Sequence, residues 1–147
     1  MSLKDFQGRW KEVESKNDSE FYKQMELGWI KTFLMTKVFK RDFEIDVKSE
    51  NVYEYRESKF GHRDEVTLGV ENFRTTMMGK LKALANLEEN ILLIKIEVVE
   101  SKNGIFGIKL QPGTVINVRM EVNASAGKMT HQMILNGVVM EKVLQRQ

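Results

Sequence analysis

Residues 115–144 read VINVRMEVNASAGKMTHQMILNGVVMEKVL, and this stretch decides the fold class. Three runs of apolar and β-branched residues alternate in it with short turns: Val115 to Val122, Asn123 to Gly127, Met129 to Leu135, Asn136-Gly137, and Val138 to Leu144. Runs of this length between Asn- and Gly-containing turns are typical of antiparallel strands joined by hairpins. The stretch therefore predicts consecutive antiparallel strands.

The same design recurs upstream. The further strand pairs and their turns are Phe43 to Val47 and Val52 to Arg56 around Ser49 to Asn51, and Lys80 to Leu84 and Ile91 to Ile96 around Glu88 to Asn90. With a strand over Phe6 to Val13, the chain reaches about ten short strands at the spacing of an up-and-down barrel or a sandwich. A small barrel can hold one small molecule among its inward side chains.

Helical signals are confined to the early part of the chain. Lys16 to Ser19 offers capping residues, and Phe21, Met25, Trp29 and Phe33 recur every four positions. This pattern predicts two short helices, broken near Gly28, that cover one open end. No composition break interrupts the chain, so residues 1–147 are predicted to form one domain.

Composition places the chain among soluble globular proteins. It is 41% hydrophobic and 30% charged with a net charge of +2, which gives no reason to expect a nucleic-acid partner. Cysteine is absent, which excludes disulfides and thiolate chemistry and suits a reducing compartment. The first residues lack the apolar segment of a secretory signal, and no run reaches a membrane-spanning length. We therefore expect a cytoplasmic protein.

No pattern of an enzyme site is present. The two histidines, His62 and His131, have no spacing typical of a metal site, and Gly-x-Ser-x-Gly is missing. Residues 104–107 are too apolar for a phosphate-binding loop. The sequence predicts a protein without catalytic activity, metal or cofactor.

Six patches, in order along the chain, resemble the intracellular lipid-binding proteins, the fatty-acid and retinoid carriers of the cytosol. They are residues 6–11 (FQGRWK), 15–17 (SKN), 27–29 (LGW), 60–73 with its VTLGVENF, 79–82 (GKLK) and 135–146 (LNGVVMEKVLQR). The resemblance implies a divergent member of that family, a ten-stranded antiparallel up-and-down barrel with a helix-turn-helix cap at a ligand portal. It also implies a monomeric intracellular carrier of a fatty acid or similar small apolar lipid.

The resemblance also indicates where a ligand carboxylate would be held. That family uses an arginine on the antepenultimate strand and an Arg-x-Tyr pair on the last; the aligned positions here are Met120, Lys142 and Leu144. Arg119 is one residue away, on the opposite face of a strand, so we expect Met120 inside. A lone lysine lacks the bidentate fork of arginine, and its burial disfavours the charged form unless an anion pairs with it. A retinoid, sterol, lipid amide or monoacyl species therefore competes with a fatty acid as the ligand.

Further candidate ligand-binding residues are His131, Met133, Arg63, Phe60, Tyr22, Met25 and Phe33. Each has a plainer alternative: a structural or water-bound histidine, a charge at the rim, or aromatic and helix core. For Lys95 and Glu97, the sequence is equally consistent with a side chain in the barrel interior and one in solvent. Basic residues around the helices, namely Lys23, Lys31, Lys37, Lys40 and Arg41, favour transient contact with an anionic membrane or form a solvated face.

The segment from Glu100 to Pro112 is longer than the corresponding turn of the resembling family. Its apolar residues include Ile105, Phe106, Ile108 and Leu110. One hypothesis is an extended hairpin that packs on the barrel or meets a partner, which would make the protein an interaction module. The alternative is an elongated loop whose apolar residues cover one another.

Overall fold

A computed structural model describes residues 3–25, 40–58, 62–76, 79–101 and 110–147. Within them, a 3-10 helix spans Leu3–Phe6 and one α-helix, α1, spans Asp18–Lys23. The strands are β1 Gly8–Lys16, β2 Asp42–Val47, β3 Val52–Glu57, β4 His62–Thr67, β5 Asn72–Thr76, β6 Gly79–Glu88, β7 Ile91–Ser101, β8 Val115–Asn123, β9 Lys128–Leu135 and β10 Val138–Arg146.

The ten strands form one antiparallel sheet in the order β4-β3-β2-β1-β10-β9-β8-β7-β6-β5. Sequential strands pair with each other, and the first strand also pairs with the last through Trp10 and Arg146 to Lys16 and Glu141. β4 and β5 stand at the two ends of this order, so the barrel is nearly closed, with its gap between them. The predicted all-β, ten-stranded antiparallel barrel is confirmed.

The predicted first strand begins too early. Phe6 belongs to the 3-10 helix, and the strand runs from Gly8 to Lys16 instead of from Phe6 to Val13. The cause is a local hydrogen bond: the Phe6 carbonyl accepts from Trp10 Nε1 at 2.9 Å. This bond stabilises the 3-10 helix at Phe6, so the strand begins after it. The Arg146 guanidinium lies 4.6 Å from the centre of the Trp10 ring and donates to the Asp5 carbonyl at 2.7 Å. These contacts join the first turn of the chain to the end of β10.

Part of the predicted helical cap is present. α1 begins after Asn17, which adopts a left-handed conformation with φ 66°, and it buries Phe21 and Tyr22. The second predicted helix, with Phe33, lies outside the described residues, as do Phe60 and most of the long segment after Glu100. From that segment Leu110 is described, and it is 4% exposed as part of the core.

The core lies inside the barrel because strand residues alternate between its inner and outer faces. On β10, Met140, Lys142 and Leu144 are buried, and Val139 is exposed. On β1 the register with β10 shifts between Glu12 and Glu14. A bulge at Val13 makes two neighbouring residues face outward and turns Ser15 back to the interior.

Candidate binding site in the barrel interior

An apolar wall forms part of the inner face from β6 to β10. Cross-strand register aligns one row of inward side chains along it: Ala85, Ile94, Val118, Met133 and Met140. Ile94 and Met133 in this row are partly accessible although they point inward and pack on the core. Inward apolar side chains that keep accessible surface border space at the inside or mouth of the barrel. This wall can contact an apolar molecule along its length.

The neighbouring row changes from apolar to polar. It runs Leu87, Leu92, Met120, His131, Lys142 and Ser15 across five strand pairings. The sequence analysis named three of these residues separately, Met120 and Lys142 from the resemblance and His131 from its strand face, and the register places them side by side. Met120 is 3% exposed, whereas the Arg119 side chain lies outside against Glu121 at 3.4 Å. The register argument that put Met120 inside therefore agrees with the structure.

Lys142 is held by a buried acidic cluster. Its ammonium nitrogen, Nζ, lies 2.8 Å from Glu12 Oε1 and 3.4 Å from Asp18 Oδ2, and it donates to Ser15 Oγ at 3.0 Å. The Lys142 and Glu12 side chains are 2% and 3% exposed. Ser15 also hydrogen-bonds Asp18, so the four side chains form one network. The cation that a ligand carboxylate would need is already paired within the protein.

The chain folds so that these groups meet. Ser15 is directly opposite Lys142 in the β1–β10 ladder, and the bulge at Val13 lets Glu12 and Ser15 both face inward. α1 starts three residues after Ser15 and brings Asp18 over the same point. Glu12 Oε1 also accepts a 3.1 Å hydrogen bond from the Arg41 backbone N–H, which ties the cluster to the start of β2.

A second polar group faces the interior from β2 and β3. Arg41 donates to the Tyr55 hydroxyl at 2.5 Å and lies 3.7 Å from Glu57, and the same hydroxyl hydrogen-bonds Glu57. The Arg41 guanidinium also lies 5.2 Å from the centre of the Phe43 ring. Burial raises the pKa of Tyr55 well above its usual value, so the phenol stays neutral at physiological pH.

A third ion pair spans the gap in the sheet. Asp64 of β4 and Arg74 of β5 meet with Arg74 Nη1 at 2.5 Å from Asp64 Oδ2, and their side chains are 11% and 25% exposed. β4 and β5 share no ladder in the strand order, so this ion pair joins two strands that backbone hydrogen bonds do not join. It holds the two edges of the barrel together.

His131 is a neutral imidazole in the middle of the polar row. It is 2% exposed, its ring centre lies 6.4 Å from that of Phe43, and its Nδ1 atom has no hydrogen-bond partner among the described residues. Burial, together with the positive charges of Arg41 and Lys142, holds the pKa of His131 well below its usual value. Arg41 Nε is likewise buried without a partner in the described part of the chain.

Acid should destabilise the protein through His131. The unfolded imidazole takes up a proton below about pH 6.5, whereas the folded one, with its depressed pKa, does not. Stability is therefore highest above that pH and is lost at up to about 1.4 kcal/mol per pH unit as pH falls towards the folded pKa. Urea unfolding of wild type and His131→Met at pH 7 and pH 5 checks this. An equal loss in both proteins would rule His131 out as the source.

One surface cleft, beside α1, is acidic. Its volume is about 430 Å³, and residues 12–15, 17–20 and Lys40 line it. Four of these residues, Glu12, Glu14, Asp18 and Glu20, are carboxylates, so the cleft does not provide the apolar surroundings that a lipid tail requires. Its inner side is formed by the Lys142 cluster.

The other predicted site residues are divided between inside and outside. Leu144 is fully buried, Met133 packs on the core, and Tyr22 and Met25 are 6% and 7% exposed at the helical end. Burial, with a smaller contribution from the Asp18 carboxylate, raises the pKa of Tyr22 to about 12. The Arg63 side chain is 69% exposed and lies 3.8 Å from Glu54 on the outer face, so the structure does not bring it to the interior. Phe60 and Phe33 lie outside the described residues.

The structure also places three further side chains whose positions the sequence left open or assigned to the surface: Lys95, Glu97 and Arg41. Lys95 is exposed, and Glu97 lies 3.5 Å from Lys82, so both face outward. Arg41 was predicted to be one of the basic residues on a membrane-contacting or solvated face. That prediction is wrong, because its side chain turns inward to Tyr55 and Glu57.

The inward positions of Glu12, Asp18 and Arg41 were not predicted from the sequence. A signal existed for two groups: Glu12 follows the buried Trp10 by two residues, and Arg41 precedes the buried Phe43 by two. No sequence signal marks the bulge at Val13, without which Ser15 and Asp18 would not reach Lys142.

Comparison with known proteins identifies the fold. No family model and no curated protein matches the sequence. Two solved structures, the REP1-NXSQ fatty acid transporter and a tyrosine-to-phenylalanine mutant of it, are similar at TM-scores of 0.70 and 0.71. Each is 20% identical, covers 97% of this chain, and is itself covered over 96% or 98% of its length. The whole described barrel thus shares the architecture of those transporters. In the described residues, no helix is long and apolar enough to cross a bilayer.

Proposed function

We propose that this protein is a carrier that holds one small lipid inside the barrel. The observation that carries the proposal is the apolar wall, whose inward side chains on β6 to β10 form a continuous surface and keep accessible area at Leu81, Ile94, Ile96 and Met133. Burial of a lipid chain against such a surface contributes about 25 cal/mol per Å² of apolar area removed from water.

Inward polar groups that border the apolar wall support an amphipathic ligand. The polar groups at Arg41 and Arg74 lie next to β2 and on β5, outside the strands of the apolar wall. Lys142 lies on β10, where the polar row borders the wall. A molecule with a long apolar part and one polar end would match this division. Fatty acids, retinoids, sterols and neutral lipids all have that form. The transporters that share the fold are named for fatty acids, which supports a lipid as the cargo.

On this proposal the protein is a monomeric cytoplasmic carrier, and its helical end contacts anionic membranes when it releases lipid. Lys40 is exposed there, and the Lys23 side chain is 65% exposed with its ammonium 3.1 Å from Glu20. The remaining basic residues of that end, Lys31 and Lys37, lie outside the described residues.

Lipid extraction followed by mass spectrometry of the natively purified protein should find one bound lipid class. Oleic acid and retinol are then titrated against that lipid to rank the head groups. Purified protein that carries no lipid and takes up neither compound would contradict the carrier function.

Filling the interior should abolish uptake. Ala83 alternates with buried Ala85, faces inward, and is still partly accessible. We expect Ala83→Trp to lower affinity for the extracted lipid at least about tenfold, because the indole occupies space next to the apolar wall. Leu84→Trp, on the outer face one residue away, is the matched control and should bind normally. Equal affinities in the two variants would place the lipid elsewhere.

A further inference from the structure

Lys142 has no unused hydrogen-bonding capacity. An ammonium group donates three hydrogen bonds, and Nζ has three oxygen neighbours: Glu12 Oε1 at 2.8 Å, Ser15 Oγ at 3.0 Å and Asp18 Oδ2 at 3.4 Å. A ligand carboxylate could pair with this lysine only by displacing one of them. Glu12 is the closest of the three, and its side chain is 3% exposed, so water cannot easily solvate it if it loses its partner.

The charge balance points the same way. One cation in this cluster faces two carboxylates, so a third carboxylate, from a ligand, would add repulsion between buried charges. Two other inward cations are also paired, Arg41 with Glu57 at 3.7 Å and Arg74 with Asp64 at 2.5 Å. The Arg146 guanidinium stacks on Trp10 and donates to the Asp5 carbonyl, and its Nε is buried without a hydrogen-bond partner in the described residues. Lys142, Arg41 and Arg74 each already have a carboxylate partner, and a charged head group would have to compete with it.

An uncharged head group meets no such obstacle. Two buried atoms near the Phe43 ring, Arg41 Nε and His131 Nδ1, have no hydrogen-bond partner in the described part of the chain. They can form hydrogen bonds with a hydroxyl or carbonyl, but they add no unpaired full charge to hold a carboxylate.

We propose that Glu12 determines specificity by acting as the internal counter-ion of Lys142, so that the barrel rejects free fatty acids and accepts lipids with an uncharged polar head. This inference rests on the proposed carrier function and names the class of lipid carried. Glu12 occupies the place beside Lys142 that a ligand carboxylate would take.

Two lipids with the same chain and different heads test this role: oleic acid, ionised at pH 8, and oleyl alcohol. Their equilibrium partition from neutral phosphatidylcholine vesicles is measured for wild type, Glu12→Gln and Glu14→Gln. Glu12→Gln removes the charge with little change in shape, and Asp18 remains to neutralise Lys142. Glu14, two residues along the chain with a side chain 57% exposed, is the matched control.

Glu12→Gln should raise affinity for oleate at least about tenfold. The neutral amide oxygen is a weaker acceptor for Lys142 than a carboxylate and does not repel the ligand, so a ligand carboxylate can displace it. Affinity for oleyl alcohol should stay within about threefold, and Glu14→Gln should match wild type for both lipids. Unchanged oleate affinity in Glu12→Gln, or an equal rise for both lipids, overturns the role of Glu12 and leaves the carrier function standing. Failure of every protein to take up either lipid overturns the carrier function itself.

A second variant keeps the test decisive if Glu12→Gln does not fold. Glu12→Gln/Lys142→Met removes both charges of the closest pair. If Glu12 already prevents Lys142 from binding a ligand, this variant should bind oleate as weakly as wild type and oleyl alcohol equally well. A loss of oleate affinity of about tenfold relative to wild type would show that Lys142 holds the ligand carboxylate despite Glu12, and would overturn the proposal.

Discussion

Lys142→Met should lower the free energy of unfolding by about 3–5 kcal/mol, the range found when one partner of a buried ion pair is removed. Methionine fills much of the space of the lysine chain, so the loss comes from charge. Glu12, 3% exposed, would keep its negative charge beside Asp18 with no cation between them. Urea unfolding of the purified variants measures the change.

The double variant Glu12→Gln/Lys142→Met separates charge from packing. It leaves a single carboxylate, Asp18, whose side chain is 11% exposed, so most of the stability lost in Lys142→Met should return. Lys16→Met removes a lysine whose side chain is 63% exposed and should change stability by no more than about 0.5 kcal/mol. A Lys142→Met protein as stable as Lys16→Met would show that the cluster is solvated in solution.

Gly79→Ala should destabilise the barrel by about 3 kcal/mol or more, because this position combines backbone strain with a steric clash. Gly79 has φ +127°, and a Cβ atom built on it would lie 2.0 Å from the Glu100 carbonyl oxygen. That oxygen belongs to the backbone of the paired strand, so β6 and β7 would have to separate where their register shifts between Lys80 and Leu81. Thermal and urea unfolding measure the loss.

Gly137→Ala is the matched control for Gly79→Ala. Gly137 also has a positive φ, +78°, but a Cβ atom added to it would have no described atom within 4 Å beyond its chain neighbours. It should cost only about 1 kcal/mol, the conformational penalty alone. Equal losses in the two variants would mean that the β6–β7 contact near Gly79 relaxes freely and that the clash contributes nothing.

Much of the barrel is predictable from sequence because each strand repeats with a period of two and ends at a turn. The last three strands illustrate this, since their predicted limits differ from the observed ones by two residues at most. The predicted strand boundaries are wrong where the backbone is irregular. Phe6 has a strand-like apolar side chain, yet its carbonyl is taken by the Trp10 indole and the strand begins two residues later.

The interior was harder to predict than the fold. Met120, His131 and Lys142 could be placed inside by alternation, but alternation alone does not reveal what each side chain contacts. The pairing of Lys142 with Glu12 depends on a bulge, and its contact with Asp18 depends on where α1 begins. Both are consequences of tertiary packing, so a residue-by-residue comparison with the resembling family shows which cation is present and not whether it is free.

The pairing of β1 with β10 constrains the order in which the barrel can form. Hairpins such as β9–β10 need only a loop of a few residues to close, whereas the β1–β10 ladder joins Trp10 to Arg146 across nearly the whole chain. Until β10 has been synthesised, β1 can pair only with β2, and the edge that later pairs with β10 stays unpaired. The Glu12–Lys142 contact lies in this ladder, so the buried ion pair should be among the last contacts of the barrel to form.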